Sequence, residues 1–579
     1  MMDIEKLYDQ WSTKLYFDDA TRKELLAVAG DDAEIRDRFY RELEFGTAGI
    51  RGVIGAGTNR INVYVVRRVS HGIAQMIVKR GEKAMKAGIV IGYDSRNFSK
   101  EFAMEAASVF AGNGIRVYMH SDLCPVPVLS YSIRKLKCEA GVMVTASHNP
   151  KEYNGYKAYG SDGAQIPPED SQVITDVISK ITDYTKLPKF DYDFFVRKGT
   201  IRILDDKVKK SYFAEIKKVL VDKENLKKNA GNLKLVYTPV HGAGAKFVPV
   251  ILKELGFENL YVVEEQMEPN GDFPTVNVPN PENRDVYDLA VALAEKNGAN
   301  LTLATDPDAD RTGAFIKSAN GEYVMLNGNQ IGCVLLEYIL SAKAKTGTMP
   351  ERPFVVSTIV STDLAKAICD NYGVEYIQVL TGFKFIGEQI ALLEEQGDKK
   401  FVFGFEESYG YLAGTYARDK DAVASCMLLA EAAAYYDSIG MTLLDAVEEI
   451  YKKYGYYAEM QVSLTLKGES GVAKMAELMD AFRAKKGDVV KEEISVFKDI
   501  KTSVAVDCKT GEETAIDLPK SNVLYYDMPC GWFAVRPSGT EPKIKFYFGI
   551  CDKTSMDAAW DKAEEIKADL MATVQELLK

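Results

Sequence analysis

A chain of 579 residues exceeds what one hydrophobic core organises, so roughly three to five domains of about 100 to 200 residues each are expected. Its formal net charge of −12 excludes a general affinity for nucleic acid, which demands clustered lysine and arginine, and leaves any anionic ligand to a local basic pocket. The eight cysteines show no CxxC pair and no zinc-ligand spacing, and the opening Met1-Met2-Asp3-Ile4-Glu5-Lys6 shows no signal-peptide pattern. With no apolar run near the roughly 20 residues that span a bilayer, a cytoplasmic protein without membrane partners is expected.

Short β-branched runs alternate with amphipathic stretches, the pattern of strands and crossover helices in α/β sheets. The first round predicts a strand at 88–94, a helix at 99–112, a strand at 115–119, a helix at 127–137 and a strand at 139–145 ending in Thr145-Ala146-Ser147-His148-Asn149-Pro150. The second runs from a strand at 233–237 through helices near 245–255 and 287–297 to a strand at 301–305, followed by Asp306-Pro307-Asp308-Ala309-Asp310-Arg311. The third begins with a strand at 353–359 and helices near 363–372 and 384–396. It ends in a strand at 400–403 before Gly404-Phe405-Glu406-Glu407-Ser408. In open α/β sheets ligands bind at the C-terminal ends of the strands, where all three polar loops fall. After helices at 421–438 and 442–453 the character changes: a strand at 457–466, a helix at 471–485, strands near 531–535 and 543–549, and a final helix from 556. The predicted architecture is three α/β domains (1–205, 206–320, 321–450) and a smaller α+β domain (451–579).

Aspartates at alternate positions, Asp306, Asp308 and Asp310, converge on one hard cation if the backbone turns at the strand end. Alone, the loop reads equally as an acidic turn. An EF-hand fails on spacing, with Arg311 where glycine and Lys317 where glutamate belong. Arg311 either neutralises the acids or forks onto phosphate oxygens. Ser147 lies where a strand yields to a loop. A serine hydrolase is disfavoured, because adjacent Ser147 and His148 side chains diverge in an extended chain and no GxSxG elbow exists. Arg536-Pro537-Ser538-Gly539-Thr540-Glu541-Pro542-Lys543, with Lys545 beyond, offers the parts of a phosphate cradle, or a tight turn. No Gly-Lys dipeptide occurs, which excludes a Walker A site. Gly404-Phe405-Glu406-Glu407-Ser408 offers carboxylates and a hydroxyl suited to sugar hydroxyls, or an acidic surface, and Arg51 sits in the glycine-permissive Gly46-Thr47-Ala48-Gly49-Ile50-Arg51-Gly52, an anion-approaching loop or a flexible turn.

Taken together and in this order, the loops resemble those of the α-D-phosphohexomutase family over nearly the whole chain. The Thr381-Gly382-Phe383-Lys384 segment and the Gly-Phe-Glu-Glu-Ser loop place the resemblance nearest the long phosphoglucomutase and phosphopentomutase branch. It implies four domains around a central cleft, with phosphoserine at Ser147 completing a Mg²⁺ site with Asp306, Asp308 and Asp310. It further implies that Arg51, His148 and Lys157 lie near the phosphoserine and that Lys420 transfers a proton. Arg311, Thr381, Gly382, Lys384, Glu406 and Ser408 are implied to contact substrate, and Arg536, Ser538, Gly539, Thr540 and Lys545 to hold its remote phosphate. The activity implied is interconversion of glucose 1-phosphate and glucose 6-phosphate, with glucose 1,6-bisphosphate as intermediate and activator. Phosphopentomutase, phosphomannomutase, bisphosphate synthase and a non-enzymatic sugar-phosphate sensor are the alternatives. Two departures touch the sugar choice and the register of Lys420: Phe405 interrupts the commoner Gly-Glu-Glu-Ser, and the Ser408 to Lys420 spacing is one residue longer. Lys157 or Lys420 serves as general base if its pKa is lowered.

Overall fold

The computed structural model describes residues 3–47, 49–466, 469–537 and 543–578, with backbone alone at 469, 470 and 472. It divides into two compact units. The first comprises Met1–Asn327, Gly387–Gly397 and Ser408–Thr442; the second comprises Gly328–Ile386, Asp398–Glu407 and Leu443–Lys579.

No element was expected before residue 88, and there the structure adds helices Ile4–Thr13, Asp19–Ala27 and Asp32–Phe39. Each is capped by an aspartate, Asp3, Asp18 or Asp31, whose carboxylate accepts a backbone N–H of the first turn. Helices this short are marginal alone, and burial holds them. Trp11 stacks on Phe17 at 4.4 Å and meets Tyr64 edge-on at 5.4 Å, while Leu25 and Phe39 join the same core. Tyr64 opens helix Val63–Lys79, which lies against helices Ser99–Gly112 and Pro168–Ile178.

The first unit holds two sheets. In one, Ala140–Val144, Ile89–Tyr93, Val117–His120 and Ile201–Leu204 run parallel, and Tyr153–Gly160 and Ile50–Val53 add antiparallel at the edge. All residues of Ile89–Tyr93 and Ala140–Val144 are buried, as expected for strands covered on both faces. The other has the order Tyr323–Leu326, Thr312–Lys317, Leu301–Thr305, Leu235–Thr238, Leu260–Val262. Ser147 follows a strand of the first sheet and Asp306 a strand of the second, both at C-terminal ends, as expected.

In the second unit, Pro353–Thr358 pairs in parallel with Glu375–Val379 and Lys400–Glu406. The strand expected to stop at 403 continues to Glu406, because Gly404 and Phe405 pair with Val356 and Ser357 and the Phe405 ring packs over Gly332. A seven-stranded sheet follows, with Tyr456–Thr465, Lys543–Asp552, Gly531–Pro537 and Leu524–Met528 at one end. Period-two alternation decides its faces: Phe533 and Val535 pack with helix Met556–Leu577, while Trp532 and Ala534 pack with Ile359, Val360 and Leu380. No described helix is long and apolar enough to cross a membrane.

Candidate active site

The loop after Ala140–Val144 turns sharply because Ser147 adopts a left-handed backbone (φ +52°), a conformation uncommon for a residue with a Cβ. Its N–H donates to Thr145 Oγ1 at 2.7 Å, and its hydroxyl donates to Asp306 Oδ2 at 2.9 Å. The turn also corrects the expectation that Ser147 and His148 diverge: His148 Nδ1 lies 3.2 Å from Ser147 Oγ. Burial first, then the charges of Arg311 and Arg51, push the imidazole well below its ordinary pKa, so it is neutral and a poor base. Arg51, on the edge strand, donates to Asn149 Oδ1 at 2.8 Å.

Asp306, Asp308 and Asp310 are all buried, and one oxygen of each falls within 4.8 Å of the others. Backbone N–H groups of Asp310 and Arg311 donate to Asp306 Oδ1, both at 3.0 Å, which folds the loop back on its first carboxylate. Lys157 Nζ lies 2.9 Å from Asp308 Oδ2 and 3.6 Å from Asp310 Oδ2. Lys420 Nζ lies 3.2 Å from Asp310 Oδ2 and 3.1 Å from Asp419 Oδ1. The Lys420 loop is pinned in turn: Tyr159 donates to Asp419 at 3.0 Å, and Tyr212 and Tyr416 donate to Asp421, which caps helix Ala422–Ser438. Arg311 pairs with Glu282 at 2.5 Å, and the Ser408-Tyr409-Gly410 backbone runs beside it, Thr312 N donating to Tyr409 O at 3.1 Å.

These charges set one another. Burial raises the Asp306 carboxyl well above its ordinary value, and Asp308 and Asp310 add to the rise. Burial would raise Asp310 too, but Lys420, Lys157 and Arg311 outweigh it and hold that carboxyl well below the usual range. Burial lowers Lys157, yet Asp308 and Asp310 more than reverse this and its pKa is raised. The lowering that a basic Lys157 requires is therefore absent, and the side chain stands as an ammonium that compensates charge. Asp308 Oδ1 and Asp310 Oδ1 are buried without a hydrogen-bond partner among the described residues. Unsatisfied buried carboxylate oxygens are costly, and two of them beside Asp306 form an all-oxygen donor set that fits Mg²⁺.

Other residues singled out in the sequence lie in the second unit. Glu406 ends its strand in a buried position, and Glu407 accepts from Thr358 Oγ1 at 3.2 Å. Burial and then the neighbouring Glu406 push the Glu407 carboxyl up to about 7. Arg536 and Lys545 stand directly opposite on paired strands. Like charges so placed repel, and an anion between them removes the penalty. Tyr547 lies within hydrogen-bonding reach of Arg536. Thr381 and Gly382 (φ +119°) lead into helix Phe383–Gln396, with Lys384 Nζ 4.7 Å from the Phe385 ring centroid. Ser538, Gly539 and Thr540 lie outside the described residues.

Sequence reasoning passed over Arg96 and Thr145. Thr145 sits two residues before Ser147 in the same polar loop, a signal that was available, and its hydroxyl lies 2.6 Å from Asp94 Oδ2 and 3.1 Å from Asp308 Oδ2.

Comparison with known proteins agrees with this layout. Four domain families described as phosphoglucomutase/phosphomannomutase match in order: α/β/α domain I over 42–185, domain II over 210–320, domain III over 327–454, and the C-terminal domain over 465–565. A phosphoglucomutase of Staphylococcus saprophyticus is 37% identical over 513 residues, 88% of this chain and 91% of its own length. One from Staphylococcus aureus is 37% identical over 525 residues, 90% of this chain and 91% of its own. Among solved structures, the Paramecium phosphoprotein parafusin (phosphoglucomutase) in its open form has a TM-score of 0.68 at 17% identity, covering 92% of this chain and 96% of its own. A phosphoglucomutase/phosphomannomutase family protein of Burkholderia thailandensis has a TM-score of 0.63 at 19% identity, covering 91% and 97%. These two share the fold.

Proposed function

Because the chain belongs to the phosphoglucomutase/phosphomannomutase family, we propose that it is a phosphoglucomutase whose phosphoryl carrier is Ser147. The observation that carries the assignment is the Ser147 hydroxyl 2.9 Å from Asp306, beside two unpartnered carboxylate oxygens and two lysines. Four domains with boundaries near 205, 320 and 450 belong to the same reading.

In the forward step the Oγ–P bond of phosphoserine 147 breaks as a bond forms from phosphorus to the free hydroxyl oxygen of glucose 1-phosphate, giving glucose 1,6-bisphosphate. The proton leaving that hydroxyl ends on Ser147 Oγ, and Lys420, held between Asp310 and Asp419, is the residue assigned to relay it. Asp306, Asp308 and Asp310 would hold Mg²⁺, which when bound would compensate charge on the transferring phosphoryl group. Lys157 adds fixed positive charge on the same side. Arg536 and Lys545 hold the phosphate that is not reacting, and Glu406 and Ser408 orient the sugar. The bisphosphate then reverses, and the other phosphate returns to Ser147.

The test is a panel of glucose, mannose, ribose and N-acetylglucosamine 1-phosphates with Mg²⁺ and a trace of the matching bisphosphate. Glucose 6-phosphate should be the fastest-forming product. Faster turnover of another sugar reassigns the substrate, and no turnover of any leaves a sugar-phosphate sensor.

A further inference from the structure

The Ser147 loop is gripped by a side chain to which the transfer step gives no part. Arg96, two residues beyond Asp94 at the end of strand Ile89–Tyr93, is 3% exposed. Its guanidinium donates to four carbonyls of one loop: Ser147 at 2.5 Å, Asn149, Pro150 at 2.9 Å and Tyr153 at 3.1 Å. Its Cζ lies 5.1 Å from the Phe273 ring centroid, and Asp94 Oδ2 lies 3.6 Å from its Nε. A planar fork with five donors holds several acceptors in one fixed arrangement, which the point charge of a lysine does not. Asp94 meanwhile accepts from Ser99 Oγ at 2.7 Å and approaches Thr145, whose oxygen receives the Ser147 N–H. The left-handed backbone of Ser147 is thus fixed from two sides.

The ring beneath Arg96 comes from a segment that also reaches the aspartate loop. Phe273 is buried with φ +45°, and Gly271 approaches so closely that a Cβ there would lie 2.4 Å from Asn97 N. Asn97 Nδ2 donates to Asp272 at 3.0 Å. From the same segment, Glu268 O lies 3.0 Å from His241 Nδ1 and Thr275 Oγ1 lies 2.9 Å from His241 Nε2. Beside His241, a Cβ on Gly242 would fall 2.6 Å from Pro307 Cα, and Ala243 N donates to Pro307 O at 2.8 Å. Residues 268–275 therefore touch the Ser147 loop through Arg96 and the Asp306 loop through His241 and its neighbours.

We propose that Arg96, seated on Phe273, is a positioning residue that sets the Ser147 hydroxyl against Asp306, with the 268–275 segment as the common brace of both loops. The proposal deepens the mutase reading and rests on it for its kinetic consequences, while its mechanical consequence stands apart.

The informative variant of the full chain is Arg96→Lys, which keeps the charge and removes the fork. Hydrogen exchange resolved by peptide and steady-state kinetics are measured together. Amides of 145–153 should exchange about tenfold faster or more, with those of strands Gly531–Pro537 and Lys543–Asp552 unchanged. The kcat should fall about ten- to a hundredfold with KM for the sugar phosphate nearly constant, as displacement of a reacting group requires. Phe273→Leu keeps the fork and removes the ring, and should shift both readouts in the same direction by less. Unchanged exchange and kcat in both variants, or faster exchange spread evenly through both units, would overturn the proposal. If the wild type isomerises no sugar phosphate, the mutase reading fails and the exchange result still decides this one.

Discussion

Ser147 and its three aspartates are at most 4% exposed, and the charges among them are paired, Lys157 with Asp308 and Lys420 with Asp310. Arg536 and Lys545, by contrast, stand on neighbouring strands only partly covered. The difference follows from what each region is asked to do. Charge compensation during phosphoryl transfer is strongest where water is excluded, but buried charges are tolerated only when paired, so that region is built as a closed network. On the proposed reading Arg536 and Lys545 grip the remote phosphate of a bisphosphate in either orientation, which a partly open cationic pair permits.

The comparison breaks most sharply at Ser147. Ser147→Ala should reduce turnover to background, and intact-protein mass spectrometry should find on the wild type an added phosphate that the variant lacks. Next, Asp308→Asn should cost about a hundredfold or more in turnover, since even residues supporting metal ligands cost about 10- to 100-fold. Without Mg²⁺ the same variant should melt somewhat below wild type, because buried Lys157 loses the nearer of its two carboxylate partners. Adding Mg²⁺ should then raise its Tm less than it raises that of the wild type.

In the open region the effects should be smaller. Loss of a charged hydrogen bond of about 1.5 to 3 kcal/mol predicts a ten- to hundredfold drop in kcat/KM for Arg536→Ala. Added glucose 1,6-bisphosphate should restore part of the rate, and steady-state titration of the bisphosphate checks both. Glu407→Gln should change turnover least. Burial and Glu406 raise the Glu407 pKa from 4.5 to about 7, so the native state holds a proton that the unfolded chain releases. Its contribution to stability is complete below 4.5 and is lost as the pH rises through about 7. Thermal melts of wild type and variant between pH 5 and 8 should differ in slope accordingly, the glutamine form being flatter.

The chemistry was legible where polar residues crowd directly behind a β-branched strand: Ser147 after Ala140–Val144 and the aspartates after Leu301–Thr305. What escaped depends on three-dimensional return. Arg96 bonds to carbonyls 51 to 57 residues further along the chain, and no local spacing announces that reach. The approach of His148 to Ser147 depends on a single dihedral. Phe405 read as an interruption of a sugar loop, whereas it is a strand residue with its ring over Gly332. The early helices went unread although aspartates at residues 3, 18 and 31 mark their starts.

Those helices separate two boundaries that are easily confused. The match to the domain I family begins at residue 42, yet Trp11, Phe17, Leu25 and Phe39 are each at most 1% exposed. At about 1.5 to 3 kcal/mol for each large apolar side chain buried, the four represent roughly 6 to 12 kcal/mol, against a whole-domain stability of about 5 to 15 kcal/mol. An expression clone trimmed at residue 42 would therefore lose this burial, offset in part because the ordering entropy of the removed residues is no longer lost. The damage would travel inward: Tyr64 and Arg67, which bind Asp18 and Tyr16, lie on the helix whose Ser70 meets Tyr156 at 2.8 Å. Tyr156 is the residue before Lys157, so the length of chain kept at the N-terminus decides how firmly a cation of the transfer site is held.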